Sequence, residues 1–268
     1  MKVASIQMVS GTELGANLQH ARAALEQAAQ AGAELAVLPE YFCLMGHQDT
    51  DKLAFAEQPG QGPIQGMLQQ AARELGLWVV GGTLPMATAD PTHVANSTLV
   101  WNPQGQVVAR YDKIHLFRFD NGRERYDEAA VLQAGQTPTT FTLTSRAGAE
   151  WRVGLSICYD LRFPELYRHM HADVLLVPAA FTYTTGQAHW GTLLRARAIE
   201  NLAYVVASAQ GGTHDNGRQT WGHSVVYDPW GETLAEHAQG PGMAVATLDP
   251  SRLQQVRAQL PALQHRKL

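Results

Sequence analysis

Three residues of this sequence could together form a cysteine-based hydrolytic site: Glu40, Lys113 and Cys158. Each lies just beyond a segment with the alternating apolar pattern of a β-strand. A cysteine nucleophile needs a base to take its proton, and Glu40, beside apolar neighbours, could be that base. Lys113 and the backbone N–H of Tyr159 could stabilise the oxyanion of a tetrahedral intermediate. Taken singly, such charged residues are more often surface or structural groups, so the hypothesis requires that they lie together.

Cys158 follows the strand-like segment 151–157 and precedes Phe163-Pro164-Glu165, whose proline and acidic residue are typical of a helix start. We therefore expect the unpaired N–H groups of that helix to lie near the sulfur and to lower the pKa of the thiol. The alternative is that Cys158 is a small buried apolar residue, as free cysteines commonly are. Cys43 is also expected to be a free thiol.

Short strands and helices that alternate along the chain would have to position these residues. The pattern predicts helices at 17–30, 63–75, 164–170 and 187–200, and a last one after Asp249-Pro250. It predicts strands at 2–8, 34–38, 77–82, 96–101, 106–111, 141–144, 151–157, 173–177, 203–208 and 243–248, and a hairpin over 223–236. Residues 113–136 have no periodicity, which predicts a long functional loop.

The two halves of the chain resemble each other. Leu77-Trp78-Val79-Val80 lies 126 residues before Ala203-Tyr204-Val205-Val206, and the same offset relates 100–105 to 226–231. About twelve strands, six in each half, predict an α+β fold: a four-layer αββα sandwich of two six-stranded sheets with internal pseudo-twofold symmetry. Two small domains joined near residue 140 are the alternative, which the absence of a Pro/Gly/Ser-rich linker disfavours.

Composition restricts the class of partner. The 268 residues are 45% hydrophobic and 16% charged with a net charge of −4, and no block of Lys or Arg suggests nucleic acid or an anionic membrane. We therefore expect a small-molecule partner. No apolar run approaches the ~20 residues of a membrane span, and the first residues lack the apolar region of a signal peptide, which predicts a cytoplasmic protein.

Three segments resemble, in the same order, the signature stretches of the nitrilase superfamily of carbon–nitrogen hydrolases: 38–40 (Leu-Pro-Glu), 111–116 (Tyr-Asp-Lys-Ile-His-Leu) and 156–165 (Ser-Ile-Cys-Tyr-Asp-Leu-Arg-Phe-Pro-Glu). The resemblance covers nearly the whole chain. Segments typical of its branch of deaminated-glutathione amidases and ω-amidases are 180–182, 185–190, 194–200, 221–224 and 228–231. The resemblance implies one carbon–nitrogen hydrolase domain over residues 1–268, with a Glu-Lys-Cys triad.

The resemblance also implies a fourth site residue and a substrate pocket. Glu128, seven residues before Gly135, matches the second glutamate that the family holds near its lysine, where it would orient Lys113 and the substrate amide. The candidate substrate-binding residues are Tyr159, Phe181, Thr182, Arg125 and Arg162. Arg162 could instead pair with Glu165 behind the turn, and we favour that pairing. His115 is expected to support the loop. No metal and no cofactor are implied.

The predicted function is an amidase that hydrolyses a small carboxylate-bearing substrate through a cysteine thioester and releases ammonia, with deaminated glutathione as the first candidate. Alternatives are an ω-amidase acting on 2-oxoglutaramate or another small aliphatic amide or nitrile, and a non-catalytic binding protein of the same fold. Segment 117–125 is more basic than the resemblance leads us to expect, which leaves the exact acid open. Apolar residues on the helices beginning near Pro164 and Gln187 predict a homodimer or higher homo-oligomer.

Overall fold

The computed structural model describes residues 1–267, and Leu268, the last residue of the predicted domain, lies outside the described residues. Five α-helices are present in this part of the chain: α1 (Leu14–Gln30), α2 (Pro63–Leu75), α3 (Pro164–Met170), α4 (Tyr183–Asn201) and α5 (Pro250–Gln259). The strands, numbered in chain order, are β1 (Lys2–Gln7), β2 (Leu35–Val37), β3 (Trp78–Val80), β4 (Leu84–Ala87), β5 (Val94–Trp101), β6 (Val107–Asp112), β7 (Arg118–Asp120), β8 (Arg125–Asp127), β9 (Thr139–Thr144), β10 (Glu150–Leu155), β11 (Val174–Ala179), β12 (Tyr204–Ala209), β13 (Gly211–Thr213), β14 (Gln219–Trp221), β15 (Ser224–Tyr227), β16 (Thr233–His237) and β17 (Gly242–Thr247).

The first sheet has seven strands but is only six positions wide. Its order is β17-β1-β2-β3-β5 with β6 on the far edge, and β4 also pairs with β5. β3 and β4 lie end to end against one side of β5, since Val80 pairs with Val100 and Leu84 with Ser97. Gly82 interrupts the strand with a φ of +51°, and a side chain there would collide with the carbonyl oxygen of Pro39. The predicted six strands were therefore one too few for this sheet.

The second sheet repeats this arrangement. Its order is β9-β10-β11-β12-β15-β16, in which β10, β11 and β12 are parallel and the flanking strands antiparallel. β1, β2 and β3 are the matching parallel strands of the first sheet. The 126-residue offset superposes β3 on β12 and the end of β5 on the end of β15, so the topology confirms the predicted internal symmetry.

The two sheets pack face to face and the helices cover their outer faces. Along β1, Val3 points into the core between the sheets, whereas Ala4 and Ile6 point outward into the core beneath α1 and α2. Hydrogen bonds also join the sheets, since the Ser208 hydroxyl donates to the Val37 carbonyl at 2.8 Å. The predicted four-layer αββα sandwich is confirmed.

Some element boundaries follow the sequence signals and others do not. α2 begins at Pro63 and ends before the left-handed Gly76, as predicted. α4 begins four residues earlier than predicted because the Thr182 side chain caps the N–H of Thr185 at 3.3 Å. The expectation that 113–136 is a loop without secondary structure is wrong, because β7 and β8 form a hairpin within it.

No helix within residues 1–267 is long and apolar enough to cross a lipid bilayer.

Candidate active site

The candidate residues meet at one edge of the sandwich. Glu40 follows β2, Lys113 follows β6 and Cys158 follows β10, and all three side chains are buried. The Lys113 ammonium lies 2.9 Å from Glu40 Oε1 and 2.8 Å from Glu128 Oε2. The structure therefore brings Glu40, Lys113, Glu128 and Cys158 together, at the carboxyl ends of strands, where open α/β sheets commonly bind ligands.

The Glu40 carboxylate is fixed by three donors. Oε1 accepts hydrogen bonds from Asn96 Nδ2 and Lys113 Nζ, each at 2.9 Å, and Oε2 accepts one from the Ala180 N–H, also at 2.9 Å. The Ala180 bond comes from the second half of the chain, so the contact between the two sheets positions this group. Three donors on a buried carboxylate hold it in one orientation.

Lys113 is a buried ammonium between two carboxylates. Burial acts to lower the pKa of Lys113, but the charges of Glu128 and Glu40 outweigh it and raise the pKa above its ordinary value. The lysine therefore stays protonated at neutral pH. A fixed positive charge in a buried site can stabilise an oxyanion strongly, because little solvent screens it.

Glu128 ties the loop before it to this network. Its carboxylate accepts hydrogen bonds from the Phe117 N–H at 2.7 Å and the Tyr41 hydroxyl at 2.9 Å as well as from Lys113. Burial acts to raise the pKa of Glu128, but the Lys113 charge and these hydrogen bonds lower it below its ordinary value. The side chain is therefore a carboxylate, and Lys113 is held from two sides.

Cys158 has a strained backbone, with a φ of +49°, at the first residue of a 3₁₀ turn, Cys158–Arg162. Asp160, fully buried, holds this turn: Oδ2 accepts from the Ile157 N–H at 2.8 Å and from the Tyr111 hydroxyl at 2.7 Å, and Oδ1 lies 2.7 Å from His115 Nδ1. The expectation that His115 supports the loop is confirmed. A residue in the left-handed region persists where its surroundings constrain it in this way, and such strain is common at functional sites.

The expected lowering of the Cys158 pKa is wrong. α3 begins only at Pro164, beyond the whole 3₁₀ turn, so its N-terminus does not directly follow the sulfur. Burial raises the pKa of the Cys158 thiol well above its ordinary value, the charge of Glu40 and a hydrogen bond to it add to the rise, and the Lys113 charge opposes it. The free site therefore holds a neutral thiol beside a carboxylate. Both cysteines are free, as predicted.

A pocket with an empty volume of about 280 Å³ opens onto these groups. It is lined by Glu40, Glu128, Cys158, Phe117, Tyr159, Arg162, Ala180, Phe181, Thr182, Thr185 and Arg218. Four of the five predicted substrate-binding residues therefore line it. The structure does not place Arg125 there, because this residue lies exposed on the β7–β8 hairpin.

The favoured pairing of Arg162 with Glu165 is also wrong. The Arg162 guanidinium lies 5.6 Å from the ring centre of Tyr159 and 5.5 Å from that of Phe181, and 3.3 Å from His189 Nδ1. Arg162 ends the 3₁₀ turn facing the cavity, whereas Glu165 belongs to the first turn of α3. This leaves the Arg162 charge at the pocket.

Several site residues were missed by the sequence analysis. Asn96 and Tyr41 bind the two glutamates, and Asp160 holds the cysteine turn. Asp160 could have been found, since an acidic residue two positions after a candidate nucleophile at a strand end needs partners if it is buried. Nothing in the sequence marks Arg218, which only the folded chain brings to the pocket. No cluster of three or more potential metal ligands occurs within residues 1–267.

An αββα sandwich with a buried cysteine and a buried lysine at one edge, where two glutamates bind the lysine, defines a class, the cysteine hydrolases that cleave carbon–nitrogen bonds. The sequence model of the carbon–nitrogen hydrolase family matches residues 2–258. The chain belongs to this family, which is the nitrilase superfamily, as the sequence resemblance predicted.

Similar proteins indicate which kind of carbon–nitrogen hydrolase this chain is. The chain is 43% identical to a deaminated glutathione amidase of Synechocystis sp. (strain PCC 6803 / GT-S), over 98% of this chain and 97% of that protein. It matches the crystal structure of the C. elegans NitFhit protein with a TM-score of 0.88 and 36% identity, over 99% of this chain but only 65% of that one. A variant of the Nesterenkonia sp. AN1 amidase, with acrylamide added at its active-site cysteine, matches with a TM-score of 0.78 and 27% identity over 97% of this chain and 98% of that one. The protein is an amidase of the nitrilase superfamily.

Proposed function

We propose that this amidase hydrolyses a small carboxylate-bearing amide through a thioester at Cys158, with deaminated glutathione as the first candidate substrate. The observation that carries the mechanism is that Cys158 and Glu40 line the same pocket, where Lys113 and the Ala180 N–H hold the Glu40 carboxylate in place. The substrate proposal is supported by the deaminated glutathione amidase to which the chain is 43% identical.

The first step needs a base at the sulfur. Because the pKa of the Cys158 thiol lies well above its ordinary value, little thiolate is present at neutral pH, and proton transfer has to accompany attack. Glu40 takes the thiol proton as the sulfur forms a bond to the amide carbon, and the carbonyl oxygen becomes an oxyanion. Lys113 and the Tyr159 N–H stabilise that oxyanion.

The second step returns the proton. Protonated Glu40 gives its proton to the amide nitrogen, and the carbon–nitrogen bond breaks. The amine departs, and the acyl group remains bound to Cys158 as a thioester. Water then attacks the thioester, Glu40 takes the proton of that water, and the thiol leaves with a proton as the carboxylic acid is freed. Glu128 keeps Lys113 oriented through both steps, since its carboxylate lies 2.8 Å from the ammonium.

The leaving amine depends on the substrate, and this modifies the predicted release of ammonia. In deaminated glutathione the amide nitrogen belongs to the cysteinylglycine part, so hydrolysis there releases that dipeptide. Ammonia is the product only from a primary amide such as 2-oxoglutaramate. Tyr159, Phe181 and Thr182 would form the wall beside the acyl chain, and the Arg162 guanidinium would bind a substrate carboxylate.

The test is a substrate panel on purified protein: deaminated glutathione, 2-oxoglutaramate, a simple aliphatic amide and a nitrile. Released cysteinylglycine or ammonia and the matching acid are both measured, with Cys158→Ala as the control. We expect the highest kcat/KM with deaminated glutathione and no turnover by the control. A higher kcat/KM with 2-oxoglutaramate would favour the ω-amidase alternative, and Cys158-independent turnover would refute the mechanism.

We also propose that residues 1–268 act as one domain and that the protein is a cytoplasmic homodimer or higher homo-oligomer. The exposed apolar surface that would favour an oligomer is smaller than the sequence indicated, because most of the apolar residues on α3 and α4 are buried within the chain. Tyr183 and Ile199 on α4 remain 43% and 45% exposed, and Trp230 is 50% exposed in the turn that packs beside Ile199. A second copy would cover the patch of Ile199 and Trp230 at the carboxyl end of α4.

A further inference from the structure

Two arginines line the pocket without a carboxylate partner. No ion pair joins Arg162 or Arg218 to any acidic side chain within residues 1–267, although both guanidinium groups reach the cavity that holds Cys158. The two carboxylates of the cavity, Glu40 and Glu128, both bind the Lys113 ammonium. Together with Lys113, the two arginines outnumber these two carboxylates by one, so the site favours an anionic ligand.

Arg218 has an unsatisfied donor. Its Nε is buried and has no hydrogen-bond partner, and its Nη1 reaches only the sulfur of Met45, at 3.8 Å. The guanidinium carbon lies 5.0 Å from the ring centre of Tyr126. A buried N–H without a partner costs free energy, and an arginine binds a carboxylate best through two parallel N–H donors. A substrate carboxylate would satisfy this group.

The backbone that carries Arg218 is held in place. The residue lies in the turn of the β13–β14 hairpin, where His214 Nδ1 lies 2.8 Å from the Ser10 carbonyl oxygen and Asn216 Nδ2 donates to the Gly46 carbonyl at 2.6 Å. These contacts fasten the hairpin to the first half of the chain. Arg218 is therefore positioned before any ligand arrives, which reduces the ordering cost of binding.

The two arginines have separate surroundings. The Arg162 guanidinium packs against the rings of Tyr159 and Phe181, whereas that of Arg218 packs against the Tyr126 ring and the Met45 sulfur. Two anion-binding positions at one pocket match a substrate with two carboxylates.

We propose that Arg218 forms a second carboxylate-binding position in this pocket, separate from that of Arg162, and so selects amides that carry two carboxylates. The inference rests on the proposed function and adds a specificity residue to it. Its substrate class is a dicarboxylic acid joined through one carboxyl to the nitrogen of an amino acid or short peptide. One carboxylate then lies on the acyl side of the scissile bond and one on the amine side.

The experiment uses three ligands that differ by single carboxylates. N-glutarylglycine has one on each side of the amide, N-glutarylglycinamide lacks the amine-side charge, and N-butanoylglycine lacks the acyl-side charge. Binding is measured by calorimetry on a Cys158→Ala background, which prevents hydrolysis, and kcat/KM is measured separately with Cys158 intact. Binding thus tests the Arg218 position, and hydrolysis tests the proposed function.

We expect Arg218→Gln to weaken binding of N-glutarylglycine on the order of 10-fold or more, as removal of a charge-assisted hydrogen-bonded pair does. That loss should largely disappear with one of the two single-carboxylate ligands, and the loss caused by Arg162→Gln should disappear with the other. Arg218→Lys keeps the charge but not the paired donors, so its affinity for N-glutarylglycine should lie between those of the parent protein and Arg218→Gln.

Arg125→Gln is the matched control, since it removes the same charge from an exposed position outside the pocket. It should change binding of all three ligands by less than about 2-fold, as expected for an exposed charge. The proposal is overturned if Arg218→Gln, folded by its melting curve, binds all three ligands as its parent does, if Arg125→Gln has the same effect, or if both pocket arginines respond to the same carboxylate. It is also overturned if N-glutarylglycine binds no tighter than the other two ligands.

Discussion

Replacing Glu40 with glutamine removes its ability to take a proton while keeping most of the hydrogen bonds that it accepts. Glutamine has nearly the same shape, so its oxygen can take the place of Oε1 and keep the hydrogen bonds from Asn96 and Lys113. Its NH₂ group then faces the Ala180 N–H, which loses its acceptor. Glutamine cannot take a proton from sulfur. We expect kcat to fall on the order of 10²-fold or more, the usual contribution of a general base.

The loss of stability in Glu40→Gln can be estimated from the hydrogen bonds of Glu40. One lost hydrogen bond with a buried N–H left unpaired costs about 1–3 kcal/mol, while Lys113 keeps Glu128 as its counter-ion. The melting temperature should therefore fall by roughly 2–12 °C with the fold retained. Glu57→Gln is the matched control: this buried carboxylate accepts from the Ile64 and Gln65 N–H groups and does not line the pocket. It should lose similar stability but keep kcat.

A second readout tests whether the Glu40 charge acts on the Cys158 thiol. The Glu40 charge helps to raise the pKa of the Cys158 thiol, so its removal should lower that pKa, and alkylation by iodoacetamide should speed up at lower pH even as turnover falls. Because this shift follows from the Glu40 charge alone, the fall in kcat is the result that identifies Glu40 as the base. If Glu40→Gln kept more than a tenth of wild-type kcat, or raised only KM, Glu40 would not be the base.

Three further results are expected. Lys113→Met should lower kcat as severely as Glu40→Gln, because the oxyanion loses its cation and two buried carboxylates lose their counter-ion; a rise in KM alone would make it a binding group. Cys43→Ser should keep more than half the activity, and Cys43 should resist iodoacetamide in the folded protein, since burial raises the pKa of its thiol to about 12; rapid labelling there would contradict the fold around it. Sedimentation should show a dimer or larger species that Ile199→Glu dissociates, because Ile199 is one of the apolar residues left exposed on α4; a single 29.2 kDa species of the parent protein would defeat this prediction.

The sequence correctly predicted that the site residues lie close together, because the strand pattern and the internal repeat together determine the topology of the two sheets. Glu40, Lys113 and Cys158 each end a strand, and a pseudo-twofold sandwich brings strand ends to one edge. The six-position width of both sheets follows from the same repeat. β4 was missed, because the predicted strand 77–82 ends at Gly82 and the Pro85 that follows is atypical of a strand interior.

The electrostatics of the site and the lining of its pocket could not be predicted from the sequence. The Cys158 pKa depends on burial and on how near Glu40 and Lys113 lie to it, quantities that only the fold sets. Arg125 and Arg218 show the same limit: the residue in the basic segment lies exposed, and the one in an unremarkable hairpin reaches the pocket. Long flexible side chains are placed by tertiary contacts, not by local pattern.

The proposed mechanism requires a thioester at Cys158. Mass spectrometry of the protein, after rapid acid quench of a single turnover with deaminated glutathione, would detect this thioester directly. The account predicts an added 2-oxoglutaryl group on the peptide that contains Cys158, formed and lost within the turnover. It predicts no such addition on Cys43, and neither adduct nor product from Cys158→Ala. Product formation by Cys158→Ala at even a tenth of the wild-type rate, or an acyl group on another residue, would contradict it.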